Sequence, residues 1–304
     1  GWSGASMTLL RRRDGQRFVL KRDSPDRDWI ARATRDGPVL REAWFAAAGP
    51  ALPRPIRNPA LGAAFDPATG DSAVLMPDLT GVLFDWNAVL AVEQLDLVLA
   101  ALASLHAAPA PSAGPWCPIP DRVALICRAS LERPGAARDA VAERLLPGWH
   151  LFDRLASPTA RDVVAALSDD VTPLVRALEA LPAALIHADL KLANVGIAAD
   201  GAVEVVDWQM VTVAPVAIEL GWFLVSNVNA LPLSPDQVLD RYWGLRAEEP
   251  GREHDLAILV GLLLRGWRKG YDAEARVTLG SGVSARDDLA WWCERAVEAA
   301  GRVL

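Results

Sequence analysis

The chain has 304 residues, 52% of them hydrophobic, with 22 prolines and 22 glycines distributed along it. That is ample core material for one large or two modest domains, and it excludes a disordered chain. A net charge of -7 supplies no basic face for neutralising phosphates, so nucleic acid is not expected as a partner.

Taken in chain order, Met7 to Leu10 and Phe18 to Leu20 flank the turn Arg13-Asp14-Gly15 and predict a hairpin. A helix follows over roughly Asp28 to Ala48, stopped by Pro50, Pro53 and Pro55. Phe65 and Val74-Leu75-Met76 predict further strands on either side of a turn-rich segment. Beyond Gly81 the pattern becomes helical, over Val89 to His106, Asp121 to Leu131, Ala137 to Leu145 and Arg161 to Leu181. Ala184 to Ile186 and Val203 to Val206 are short apolar runs that predict buried strands. The turn Asp200-Gly201 makes a hairpin between Ile197 and Val203. The remainder is helical again, over Ile218 to Val228, Pro235 to Leu245, His254 to Trp267 and Ser284 to Val303. The expected class is therefore α+β, with a small β-rich lobe over 1–79 and a larger, mostly helical lobe over 80–304.

The apolar run Leu256 to Leu264 is closed by Arg265 and is too short to cross a bilayer, so no membrane partner is expected. Cys117, Cys127 and Cys293 lack any C-x-x-C spacing, which predicts reduced thiols in a cytoplasmic protein. The chain opens at Gly1 and not Met, shows no signal peptide, and is expected to follow an upstream segment. The oligomeric state is left open. Gly280-Ser281-Gly282 falls too near the end for a dinucleotide-binding unit and predicts a loop and helix cap.

The densest chemistry lies in His187-Ala188-Asp189-Leu190-Lys191-Leu192-Ala193-Asn194 and the later Asp207-Trp208. Phosphoryl transfer from ATP needs an acid to orient the attacking hydroxyl, and an acid with a side-chain amide to hold magnesium. Asp189 fits the first role, Asn194 and Asp207 the second. The hairpin places Asn194 and Asp207 on facing arms, within reach of one ion.

This pattern resembles the kinase catalytic loop. The whole layout resembles the aminoglycoside phosphotransferase and choline kinase family, of protein-kinase-like bilobal fold. The resemblance implies further roles. Lys21, ending Phe18-Val19-Leu20-Lys21, would contact the nucleotide phosphates, and Glu42 would pair with it. In Val74-Leu75-Met76-Pro77-Asp78-Leu79, Met76 would lie behind the adenine. The Pro77 carbonyl would accept from its amino group and the Leu79 N–H would donate back. The loop around Ser3, in Gly1-Trp2-Ser3-Gly4-Ala5-Ser6, would cover the phosphates. Lys191 would touch the transferred group. ATP, with GTP left open, and Mg2+ are the implied cofactors.

Lys191 is the residue type of serine/threonine kinases, but Trp208-Gln209 follow Asp207 and Gln209 to Val216 leaves no room for an activation segment. A small-molecule hydroxyl substrate is therefore expected over a protein. A third possibility, nucleotide binding without catalysis, is disfavoured because every catalytic position is filled. The acids of the last seventy residues, Asp236 to Glu294, predict a pocket suited to a cationic alcohol such as an aminoglycoside or amino alcohol, while the family resemblance implies a sugar as a further alternative. Trp149, Trp243, Trp267, Trp291 and Trp292 are candidates to line it.

Overall fold

The structure, a computed structural model, describes residues 3–133 and 139–304. The first lobe holds β1 (Ser6–Arg11), β2 (Arg17–Asp23), β3 (Ile56–Arg57), β4 (Gly62–Phe65) and β5 (Ser72–Pro77). Among the described residues, four of these make one antiparallel sheet in the order β1-β2-β5-β4. The predicted first hairpin forms, closed by Gly15 N–H to the Arg12 carbonyl at 3.0 Å. Gly15 takes φ +90°, a conformation open to glycine at no steric cost.

The helix predicted over Asp28 to Ala48 is two helices, α1 (Trp29–Ala33) and α2 (Arg41–Ala48). Arg35 turns left-handed at φ +49°, and Pro38 disfavours helical backbone at Gly37. The Asp36 carboxylate then takes the N–H groups of Gly37 at 2.9 Å and Arg41 at 3.1 Å, starting α2 afresh.

The second lobe begins with α3 (Val92–Ala107), α4 (Ile119–Ala124), α5 (Arg128–Glu132), α6 (Asp139–Leu155), α7 (Pro158–Asp169) and α8 (Thr172–Glu179). Two helices predicted as continuous are split. Between α4 and α5, the start of α5 is capped from a distance, the Ser168 hydroxyl accepting from Ala129 N–H at 2.8 Å. Between α7 and α8, Asp170 accepts from Thr172 N–H at 2.9 Å, and Pro173 sits in the first turn of α8, where a proline is tolerated. The helix predicted over Ala137 to Leu145 continues to Leu155 through Pro147; Ala137 itself lies outside the described residues.

Next come β6 (Ala184–Ile186), β7 (Val195–Ile197), β8 (Val203–Val205) and β9 (Thr212–Ala214). β7 and β8 form the predicted hairpin, β6 pairs with β9, and β3 joins the hairpin parallel to β8. The last helices are α9 (Val216–Ser226), α10 (Pro235–Arg246), α11 (Arg252–Glu274) and α12 (Ala285–Val303). α11 was expected to stop at Trp267 but runs on to Glu274, kinked at Arg265 (φ -133°, ψ 20°). It packs against α6, α9 and α12 at the centre of the lobe. The approach to α9 is close: a Cβ at Gly221 would fall 2.2 Å from the Ala257 carbonyl oxygen. Ser284 caps α12 as predicted, its hydroxyl accepting from Asp287 N–H at 3.1 Å.

Candidate active site

The segment 187–194 leaves β6 and reaches β7 through a single 3-10 turn, Leu192–Asn194. Its shape depends on a fully buried histidine. His187 donates its backbone N–H to Glu219 of α9 at 2.7 Å, and its Nδ1 accepts from Asp189 N–H at 3.2 Å. With Nδ1 accepting, Nε2 carries the proton and donates to the Val206 carbonyl at 2.9 Å. One ring thus links the residue before Asp207 to the backbone of Asp189. Ala188 between them is left-handed (φ +63°), and its carbonyl is held by Arg122 Nε at 2.6 Å.

Asn194 donates Nδ2 to the Asp189 carbonyl at 3.1 Å, which leaves its Oδ1 to face elsewhere. Its own carbonyl accepts from Val206 N–H at 3.0 Å, so Asn194 and Asp207 lie on adjoining arms, as predicted. Asp207 is left-handed (φ +68°), a conformation in which aspartate is enriched several-fold among non-glycine residues. Lys191 Nζ is 3.0 Å from Asp189 Oδ2, and the Asp189 charge, against burial, raises the lysine.

Lys21 of β2 is 6% exposed and bridges two lobes: it pairs with Glu42 of α2 and lies 2.7 Å from Asp207 Oδ1. Burial would lower the lysine, but Asp207 and Glu42 carry it above its usual range. Burial raises the Glu42 carboxyl against the pull of Lys21. Asp207 would also rise on burial, but Lys21 foremost, with Lys191, holds it below the usual carboxylate range. The buried Lys21 ammonium thus has two partly buried carboxylates to offset its desolvation cost.

What fixes Glu42 is the chain after Asp207. Phe45 of α2 stacks on Trp208, with centroids 4.4 Å apart and planes 19° from parallel. The Gln209 carbonyl accepts from Arg41 Nη1 at 3.2 Å, and the Gln209 amide donates to Asp28, the residue that caps α1. Asp28 is fully buried; burial foremost, with Asp23 adding, raises its carboxyl to about 8.

Met76 is buried with Ala43 and Val74 in a small apolar cluster that includes Val19 and Val206. Pro77 ends β5 opposite Phe18, and the bond there runs from Asp78 N–H to the Arg17 carbonyl at 3.1 Å. The Leu79 carbonyl accepts from Val82 N–H at 2.9 Å. Lys21, Glu42, Asp189, Lys191, Asn194 and Asp207 are thus brought together by direct contacts, and Met76 joins them through Val206. Among the described residues, no hydrogen bond connects Ser3, Pro77 or Leu79 to that group. The Ser3 carbonyl accepts from Trp29 N–H at 3.3 Å, while its hydroxyl lies 3.5 Å from Ala5 N–H. Gly1 and Trp2 of the same loop lie outside the described residues.

Several residues with no local signature complete the site. Asn227, 5% exposed after α9, accepts from Leu192 N–H at 2.8 Å and donates to the Leu190 carbonyl at 3.2 Å. Arg122 on α4, Trp222 on α9 and Arg265 on α11 stand beside the loop from the other side; Arg122 Cζ is 4.5 Å from the Trp222 ring centroid. His106 at the end of α3 lies inside the second lobe, its Nδ1 2.8 Å from Tyr242 Oη and its Nε2 3.9 Å from Glu219.

The predicted acidic pocket is not found in the expected form. Asp288 pairs with Lys269 at 2.6 Å, Asp272 with Arg268 at 2.9 Å and Asp255 with Arg302 at 2.6 Å. Glu274 pairs with Arg154 and Glu248 with Arg246, while Asp240, Glu249, Asp287 and Glu294 are exposed. Charge patterning along the sequence counted these acids without the partners that folding gives them. Of the proposed aromatic lining, Trp149, Trp243, Trp267 and Trp292 are core, and Trp291 packs against them partly buried.

Residues 2–256 match the phosphotransferase enzyme family, APH. No curated protein matches the sequence significantly. Among solved structures, the chain is similar to an aminoglycoside phosphotransferase from Alicyclobacillus acidocaldarius (15% identity, covering 98% of this chain and 90% of that one, TM-score 0.48). It is also similar to choline kinase LicA from Streptococcus pneumoniae (11%, 96% and 89%, TM-score 0.49). A choline/ethanolamine kinase family protein from Mesorhizobium loti is a third (16%, 98% and 93%, TM-score 0.45). With the family match spanning most of its length, the chain belongs to the phosphotransferase enzyme family.

Proposed function

We propose that the enzyme transfers the γ-phosphoryl group of ATP, with magnesium, to a hydroxyl of a small molecule. The observation that carries this is the junction of Asp189, Asn194 and Asp207 in one hydrogen-bonded loop, with Lys21 on Asp207. Asp189 orients the acceptor hydroxyl and takes its proton as the oxygen–phosphorus bond forms. The bond from the γ-phosphorus to its bridging oxygen breaks, and ADP leaves with that electron pair.

A carboxylate and an amide oxygen form the donor set that a hard cation accepts when phosphates supply the rest, so Asp207 and Asn194 Oδ1 fit magnesium. A magnesium ion held by these two residues would offset negative charge on the nucleotide phosphates. Lys21, steadied by Glu42, contacts the phosphates; Lys191 offsets charge on the transferred group. Met76 backs the adenine, the Pro77 carbonyl and the Leu79 N–H read its edge, and the Ser3 loop covers the phosphates. GTP can replace ATP only if the edge contacts at Pro77 and Leu79 tolerate guanine. Residues 1–79 act as the nucleotide-covering lobe and 80–304 as the catalytic and acceptor-binding lobe. A cytoplasmic location fits the supply of ATP and three unpaired, buried cysteines; among the described residues no helix is long and apolar enough to cross a membrane.

The test is consumption of ATP or GTP with a panel of hydroxyl compounds, with magnesium and with chelator, for the wild type and Asp207→Asn. Magnesium-dependent consumption that needs both a hydroxyl compound and Asp207 is expected. Nucleotide binding with no consumption across the panel would favour the non-catalytic alternative. Phosphate incorporated only into added protein would favour a protein kinase.

A further inference from the structure

We propose that the acceptor carries an anionic group, a carboxylate or a phosphate, received beside Asp189 by Arg122, Arg265 and the indole N–H of Trp222. This rests on the phosphotransferase reading above and names the substrate class for it.

The starting point is a difference between buried cations. Lys21, Arg41 and Lys269 are each 6% exposed or less, and each pairs with a carboxylate: Lys21 with Asp207, Arg41 with Asp36 at 3.6 Å, Lys269 with Asp288. Arg122 is 1% exposed and, among the described residues, has no carboxylate partner. Its hydrogen bond goes through Nε to the Ala188 carbonyl, which leaves Nη1 buried and unsatisfied. Arg265 is only partly buried, but its Nε is buried and unsatisfied and it has no ion pair among the described residues. A buried guanidinium without an anion is costly unless something else neutralises it.

The two arginines come from different helices and meet at one ring. Arg122 Cζ lies 4.5 Å from the Trp222 centroid and Arg265 Cζ 5.4 Å from the same centroid, while Arg265 is also 5.1 Å from Trp267. The π faces offset part of the charge but accept none of the in-plane N–H groups. The indole N–H groups of Trp222 and Trp267 are likewise buried without a partner. The set holds four unspent donors: Arg122 Nη1, Arg265 Nε and two indoles. All are donors, which is the complement of an anion's oxygens.

The location suits the acceptor and not the nucleotide. Arg122 holds the residue next to Asp189, while the Lys21 side of the loop is closed by Glu42 and Asp207. Asp189 opposes the effect of burial on both guanidiniums, and at about 10 Arg265 remains charged at neutral pH. Arg265 sits at the kink in α11, and its side chain reaches the α9 ring. Five of the acids that would have drawn a cation, Glu248, Asp255, Asp272, Glu274 and Asp288, are paired with arginines or with Lys269.

The experiment uses matched pairs on the full chain, with ADP and magnesium present: glycerate against glycerol, gluconate against sorbitol, and glycerol 3-phosphate against glycerol. Ethanolamine and choline serve as cations. Calorimetry measures binding, and ATP consumption is followed in parallel for the wild type and Asp189→Asn. At least one anionic member is expected to bind roughly 10- to 100-fold tighter than its neutral partner, the range for charge-assisted hydrogen bonds. The carboxylate and phosphate arms show which anion is preferred. Arg265→Gln should abolish that preference while leaving the KM for ATP unchanged. Arg122→Lys, which keeps the charge but loses the planar fork, should weaken it.

Neutral or cationic compounds binding as well as the acids, no binding by any acid, or an Arg265→Gln effect on the KM for ATP in place of the acceptor would each overturn the proposal. Acids that bind through Arg265 without Asp189-dependent ATP consumption would leave the anion site standing and sink the phosphotransferase reading. Asp189-dependent consumption confined to neutral or cationic compounds would do the reverse.

Discussion

On one side of the catalytic loop Lys21 lies against Glu42 and Asp207, so that each charge has its counter-charge within the protein. On the other side Arg122 and Arg265 share a tryptophan ring and hold no carboxylate. The first arrangement stabilises the lobe junction by itself. It must exchange partners when phosphates arrive, which demands an anion more attractive to Lys21 than a carboxylate. The second makes no such exchange, because its donors are already unspent. Two solutions to the burial of positive charge therefore lie within one site, and they imply different costs for binding on the two sides.

Removing the group between the two sides is the sharpest way to separate them. Asp189→Asn is expected to lower kcat by about 10²- to 10⁴-fold, the range for a lost general base, while calorimetry shows unchanged nucleotide affinity. A matching loss of nucleotide affinity would mean that Asp189 belongs to the Lys21 side. Asp207→Asn keeps a residue suited to the left-handed backbone and removes only the charge. The magnesium-dependent part of nucleotide affinity should vanish; affinity that stays the same with and without chelator in both proteins would place the metal elsewhere.

A stability comparison follows from two buried lysines. Lys269→Met strands the buried Asp288 carboxylate and should cost about 3–5 kcal/mol in denaturant unfolding, whereas Lys21→Met leaves Glu42 and the partly exposed Asp207 and should cost less. Only Lys21→Met should also raise the KM for ATP. If Lys269→Met did so as well, the Lys21 triad would not be special to the nucleotide side.

The gentlest probe is pH. Asp28 anchors Gln209 and hence the chain after Asp207, and its carboxyl is raised from 3.8 to about 8 in the fold. A raised carboxyl favours the protonated folded state, so its contribution is complete below about 4 and is lost as pH rises through about 8. The Tm should fall across that window, and Asp28→Asn, which mimics the neutral form, should flatten the fall. An unaltered slope would remove Asp28 as its source.

The shape of the loop 187–194 and of its hairpin was legible because the residues are contiguous and their spacing follows from the turn that joins them. Lys21 and Glu42 were legible only by resemblance, and the contact between them is present. The single helix expected over 28–48 overlooked Gly37-Pro38, a break written in the sequence. Arg122, Trp222, Asn227 and Arg265 were not legible, because each lies in an ordinary helical pattern and acquires meaning only when α4, α9 and α11 converge. The acids of the last seventy residues misled for the same reason: a side chain's charge is visible in sequence, but its partner is not.

The most direct test of phosphoryl transfer from this loop is single-turnover label transfer from γ-labelled ATP to a hydroxyl compound, comparing the wild type with Asp189→Asn. The expected result is a labelled small molecule formed by the wild type at least about 100-fold faster than by the variant. Equal rates in the two proteins would contradict it.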